Sequence, residues 1–220
     1  AKKYKIKVVE DSAQSIGSKL YKKNAGTFGD IGCFSAHPLK NLNAMGDGGY
    51  LITNNKTYYK KIKDLSNHGM TNRNRVKNFG YVSRMDNLQA AILNFKLSHL
   101  KRIILKRRKN FEIYKKNLSR NIFFPFEKSS EFNTYHTFVI QVKNREKLKK
   151  YLFKNKVSTS IHYPIPIHLQ PAAKKLGYKK GDFPATENQS KKIITLPIHQ
   201  DLKKNDIIRI CKLVNKFVGN

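Results

Sequence analysis

Three polar residues stand at or just past the ends of predicted strands. Asp11 closes "YKIKVVED", Ser35 lies near the end of "DIGCFSA", and Lys40 follows in "HPLKNL". In open α/β sheets, ligands bind outside the carboxyl ends of the strands. An acid, a hydroxyl and an amine converging there suit one cofactor well, pyridoxal phosphate. The carboxylate keeps the pyridine nitrogen protonated, the hydroxyl holds the phosphate, and the lysine forms the Schiff base and shuttles a proton. On residue types alone, a strand-end acid or lysine is more often a surface group, so both readings stand at this point.

The elements that must position these groups can be read from periodicity. "YKIKVVED" alternates and then turns fully apolar, as a strand entering a buried sheet does. "DIGCFSA" (30–36) and "GYLITN" (49–54) predict two more strands. "KTYYKKIKDLSNHG" predicts a helix ending at Gly69, and "MTNRNRVKNFGYV" a polar loop. Ser83 followed by Asp86 predicts a capping box that opens a long amphipathic helix over 83–118, with Met85, Leu88, Ile92 and Phe95 on one face. "FFPFEKSSEFN" breaks it. Beyond the break come a strand "YHTFVIQV", a helix "NREKLKKYLFKNK", a strand "STSIHYP", a proline-rich loop, a strand "KIITLP" and a helix "KKNDIIRICKLVNKFV". Residues 1–105 read as part of an α/β domain and 106–220 as a small α+β domain. The first part opens directly into a strand, without the preceding β-α units that would cover a parallel sheet, so the chain is expected to be the latter part of something longer.

Composition bounds the function classes. The two cysteines, Cys33 and Cys211, are too few and too far apart for a disulfide framework or a zinc site. No apolar run reaches a membrane span and the start lacks a secretory h-region, which makes a reducing cytoplasm the expected compartment. Lys and Arg number 45 against 14 Asp and Glu, a formal charge of +31 that would attract any polyanion. The lysines recur along the whole chain on outward faces, as on a solvated basic surface. No helix-turn-helix, zinc finger or aromatic-basic RNA motif accompanies them, so a nucleic-acid-binding module would rest on charge alone. The histidines at 68, 99, 136, 168 and 199 lack metal-ligand spacing and read as structural.

Five blocks occur in order: "EDSAQSIGS" (10–18), "GTFGDIGCFSAHPLKNLNAMGDGGYLITN" (26–54), "GYVSRMDNLQAAIL" (80–93), "IHYPIPIHLQPAAKKLGY" (161–178) and "DFPATENQSKKIITLPIHQDL" (182–202). Together they resemble the sugar aminotransferases of the DegT/DnrJ/EryC1/StrS family. The resemblance implies the aspartate-aminotransferase-like fold of PLP-dependent transferases, fold type I, here as a partial large domain plus a small C-terminal one. It also implies roles. Asp11 matches the acid on the pyridine nitrogen, Gln14 an amide beside the ring, Ser35 a phosphate contact and Lys40 the Schiff-base lysine. His37, His162 and Tyr163 match positions facing a nucleotide-linked sugar, while Gly46, Gly48 and Gly49 let the chain turn back tightly. Two departures accompany the match. The family carries a segment before the first block, with a phosphate loop and a ring-stacking aromatic. Val82 stands where it usually has an asparagine that reaches the partner subunit's cofactor phosphate.

The resulting expectation is transamination of a keto group on a nucleotide-activated deoxysugar, with glutamate as donor and pyridoxal phosphate as cofactor, by a homodimer without membrane or metal. The chain alone is expected to be inactive. A dehydratase on the same fold would carry histidine in place of Lys40. A catalytically impaired or regulatory family member is the alternative that Val82 favours.

Overall fold

In the computed structural model, which describes residues 1–219, "YKIKVVED" is a strand only over its last three residues, β1 (Val9–Asp11); a 3-10 turn at Lys2–Tyr4 precedes it. Strands β2 (Lys19–Leu20) and β3 (Lys23–Asn24) form a tight hairpin. Its turn residues, Tyr21 and Lys22, both have positive φ, as the right-handed twist of a two-residue hairpin demands. Then come β4 (Ile31–Ser35) and β5 (Gly49–Ile52). β1 and β4 run parallel and β5 is antiparallel to β4, giving a three-stranded sheet of order β1-β4-β5.

Asn55 caps helix α1 (Lys56–Ser66), its side chain accepting from the amides of Thr57 and Tyr58. The segment read as a polar loop contains a short hairpin, β6 (Met70–Asn72) and β7 (Arg75–Val76). The long helix, α2, spans Asn87–Asn117 rather than 83–118. No capping box forms at Ser83, because the segment before the helix is already engaged. The amides of Tyr81 and Ser83 donate to the carbonyls of Leu65 and Ser66 at the end of α1, which keeps Ser83 out of the helix.

The chain divides into two compact units, Ala1–Leu105 with Glu127–His136, and Lys106–Phe126 with Thr137 onward. The second stretch of the first unit includes β8 (Glu131–Phe132), which pairs with β2. The core of the first unit is Ala36, Leu42, Ala44, Leu93, Leu100 and Ile104. The second unit pairs β9 (Phe138–Gln141) antiparallel with β10 (Ile193–Leu196) and adds α3 (Arg145–Lys154), α4 (Pro184–Ser190) and α5 (Lys204–Gly219). Ile140, Leu148, Leu152, Ile194, Ile207 and Val214 are fully buried there. Burial also pushes the Cys211 thiol up to about 12, so it is an inert core group. "STSIHYP" is not a strand: it makes a single bridge, Ser160 to Thr195. Among the described residues no helix is long and apolar enough to cross a membrane.

Candidate active site

Successive side chains on a strand point to opposite faces, and the register of the first sheet turns this rule into a site. Asp11 lies directly opposite Cys33 on the parallel neighbour, and Ser35 is two residues further along the same strand. Asp11, Cys33 and Ser35 therefore share one face at the carboxyl end of β1 and β4. With strands about 4.8 Å apart and a rise of about 3.3 Å per residue, the Asp11 and Ser35 backbones stand roughly 8 Å from each other. The opposite face carries Gly32 and Phe34, and Phe34 stacks on Tyr50 of β5 at 5.1 Å. Gly32 is needed there, since a Cβ on it would sit 2.2 Å from the Gly26 carbonyl oxygen.

The polar groups are available for a ligand. One carboxylate oxygen of Asp11 accepts from the Ala13 amide at 3.0 Å, which fixes the side chain and leaves the second oxygen open. Gln14 follows in an exposed turn that the Ser15 amide closes on the Ser12 carbonyl. Ser35 accepts from the His37 amide at 3.3 Å, so its hydroxyl proton is free to be donated. His37 is exposed, and its Nδ1 accepts from the Leu39 amide, leaving Nε2 as the donor of the neutral ring. Lys40 is half-buried at the end of the turn closed by its amide on the His37 carbonyl, and its ammonium has no ion-pair partner among the described residues. A carboxylate and a hydroxyl donor at the carboxyl end of the sheet, with an amine free of ion pairs in the loop that follows, fit by their chemistry the nitrogen, phosphate and aldehyde of pyridoxal phosphate.

His162 and Tyr163 belong to the second unit. Both are exposed, and the His162 Nδ1 pairs with the Thr195 hydroxyl at 2.9 Å. His168 is buried instead, bonded through Nε2 to Glu187 at 3.1 Å, in agreement with a structural reading.

Several supporting residues escape a reading of motifs. Glu10 takes no part in the open face; its carboxylate accepts the amides of Gly26 (2.8 Å), Phe28 and Gly29 and clamps their loop to β1. Strand alternation is the signal that separates it from Asp11. Asn43 braces the Lys40 loop by donating to the Pro38 carbonyl while accepting from Lys96 of α2 at 2.9 Å. Gln89 clips the glycine turn by bonding both backbone groups of Met45. Lys56, Lys60, Lys63, Arg73 and Arg84, scattered in sequence, line one groove of about 1120 Å³ beside α1. Val82, 67% exposed, lines a second groove with Cys33 and Leu51.

The DegT/DnrJ/EryC1/StrS aminotransferase family model matches residues 1–215. The chain belongs to that family. Over 99% of its length it is 34% identical to a pleiotropic regulatory protein of Geobacillus stearothermophilus. It is 36% identical, again over 99%, to a dTDP-3-amino-3,6-dideoxy-alpha-D-galactopyranose transaminase of Aneurinibacillus thermoaerophilus. It spans 59% and 60% of those two proteins. Among solved structures, DesV of S. venezuelae in complex with a ketimine intermediate superposes on the whole chain with a TM-score of 0.96 at 27% identity, the chain covering 60% of it. A family aminotransferase from Brucella abortus does so with a TM-score of 0.94 at 30% identity, 59% of it covered. The fold is thus that of the PLP-dependent sugar aminotransferases, fold type I, as the sequence blocks implied.

Proposed function

We propose that the protein carrying this chain moves an amino group from glutamate to a keto group on a nucleotide-linked deoxysugar, in the cytoplasm, for surface polysaccharide or other modified sugars. The observation that carries this reading is the register that places Asp11 and Ser35 on one face, with Lys40 in the loop that follows. When bound, pyridoxal phosphate supplies an electron sink for the carbon that gains or loses the amine. Asp11 would hold a proton at the ring nitrogen with its open oxygen. Gln14 would lie beside the ring, and Ser35 would donate to the phosphate. Lys40 would take and return protons at Nζ. His37, His162 and Tyr163 would serve the sugar, and the groove lined by Lys56, Lys60 and Arg73 suits an anionic substrate. A second copy is the proposed partner; the exposed apolar side chains of the first unit, Phe79 at 99% among them, with Leu39, Met45, Tyr81, Leu88 and Phe95, support it.

Borohydride reduction of the full-length protein with pyridoxal phosphate, followed by peptide mapping, tests the reading. The pyridoxyl group should be fixed on Lys40. A label on another lysine, or a Lys40→Ala protein that still transaminates, would overturn it.

Val82 favours a second reading, a family member that binds cofactor without turning over, and the likeness to a protein named as a pleiotropic regulator supports it. Labelling at Lys40 with no amino transfer from any keto sugar offered would favour that alternative.

A further inference from the structure

Lys40 lies in irregular chain, outside any helix or strand, so side-chain anchors decide where it stands. The next residue, Asn41, is 5% exposed, and its Nδ2 donates to the Thr134 carbonyl at 3.0 Å. Its Oδ1 is buried without a hydrogen-bond partner, a cost more readily tolerated where the amide's other end does a needed job. Thr134 is fully buried, and its hydroxyl pairs with that of Ser18 at 3.1 Å. Ser18 closes the second of two consecutive turns, Ser12 to Ser15 and Ser15 to Ser18, that begin immediately after Asp11. Gly17 in this turn sits at φ +78°, a left-handed conformation, and a Cβ there would meet Ile104 Cδ1 at 2.6 Å. The residue after Thr134 is also informative. Tyr135 is a bulky residue held at φ +46°, a left-handed conformation that the surroundings must enforce, and its amide is fixed by Asn133 Oδ1 at 2.8 Å.

We infer that Thr134 is a positioning residue: through its carbonyl to Asn41 and its hydroxyl to Ser18 it sets the spacing between Lys40 and the Asp11–Gln14 turn. The inference rests on the function proposed above, because that spacing matters to a cofactor touching both. A reaction that depends on approach of one amine to a fixed partner is sensitive to displacements near 1 Å, up to about a hundred-fold.

The test uses the full-length protein and follows the rate at which added pyridoxal phosphate becomes borohydride-fixed on Lys40, alongside thermal melts and the split between kcat and the KM for sugar. Thr134→Val keeps the shape and removes the hydroxyl. It should slow fixation about tenfold and lower kcat with KM unchanged. Ser18→Ala removes the other half of the same bond and should match it, and the double variant should be no slower than either single one. Thr134→Ser keeps both bonds and should restore the wild-type rate. Wild-type rates in Thr134→Val and Ser18→Ala would overturn the inference, as would slowing by Thr134→Ser equal to that by Thr134→Val. Wild-type protein that fixes nothing on Lys40 would instead overturn the proposed function.

Discussion

At Asp11 the carboxylate keeps one oxygen on the Ala13 amide and the other open, while the neighbouring Glu10 spends its carboxylate on three loop amides. Strand alternation thus sends adjacent acids to opposite faces, Glu10 to the loop amides and Asp11 to the face that also carries Ser35. Val82 poses the sharper question at this scale. It is exposed and has no side-chain group that can hydrogen-bond to a phosphate. A hydrogen bond to a charged group contributes about 1.5–3 kcal/mol. Val82→Asn in the full-length protein should therefore tighten pyridoxal phosphate binding about ten- to a hundred-fold, measured by equilibrium dialysis. An unchanged affinity would mean that another residue already holds the phosphate.

Among the elements, α4 shows how a buried acid organises irregular chain. Glu187 accepts the Gly181 amide at 2.7 Å and His168 Nε2 at 3.1 Å, while Phe183 packs edge-on against the His168 ring at 4.8 Å. The Gly181 amide first, then His168, hold the Glu187 carboxyl below its ordinary range. A carboxyl whose folded value is depressed contributes stability that is present above its unfolded value and lost as pH falls through the folded one. Thermal melts of wild type and Glu187→Gln should then differ most at pH above the ordinary carboxylate range and converge as pH falls below it. A gap that stays constant across that range would show that packing, not charge, holds the loop.

On the scale of the whole molecule, one face of the first sheet is partly bare: Val9 is 61% and Leu51 41% exposed, on the face that carries Asp11 and Ser35. A three-stranded sheet with uncovered apolar residues and an exposed edge favours association. The 220 residues alone are expected to self-associate and to leave pyridoxal phosphate unconverted to its amine form when given glutamate. Light scattering and absorbance would check both. A monodisperse sample that converts cofactor well above the rate of free pyridoxal phosphate would contradict the expectation.

The main strands and helices, the placement of Asp11 and Ser35 at strand ends with Lys40 in the loop beyond, and the family were legible in the sequence, because alternation, helical spacing and glycine turns are local properties that neighbouring residues impose on one another; the hairpins β2–β3 and β6–β7 were not. "STSIHYP" shows where local pattern stops being enough. It has strand-like composition, but β10 pairs along its length with β9 and leaves Ser160 one bridge to Thr195. Register is likewise a property of two segments, and it alone puts Asp11 and Ser35 on a common face. The groove cations come together from separate segments in the same way. Thr134 lies 93 residues from Asn41 and 116 from Ser18, and nothing in its own neighbourhood announces either bond. Those pairings exist because burying a polar group requires a partner, and which partner comes within reach is settled only once the chain has packed.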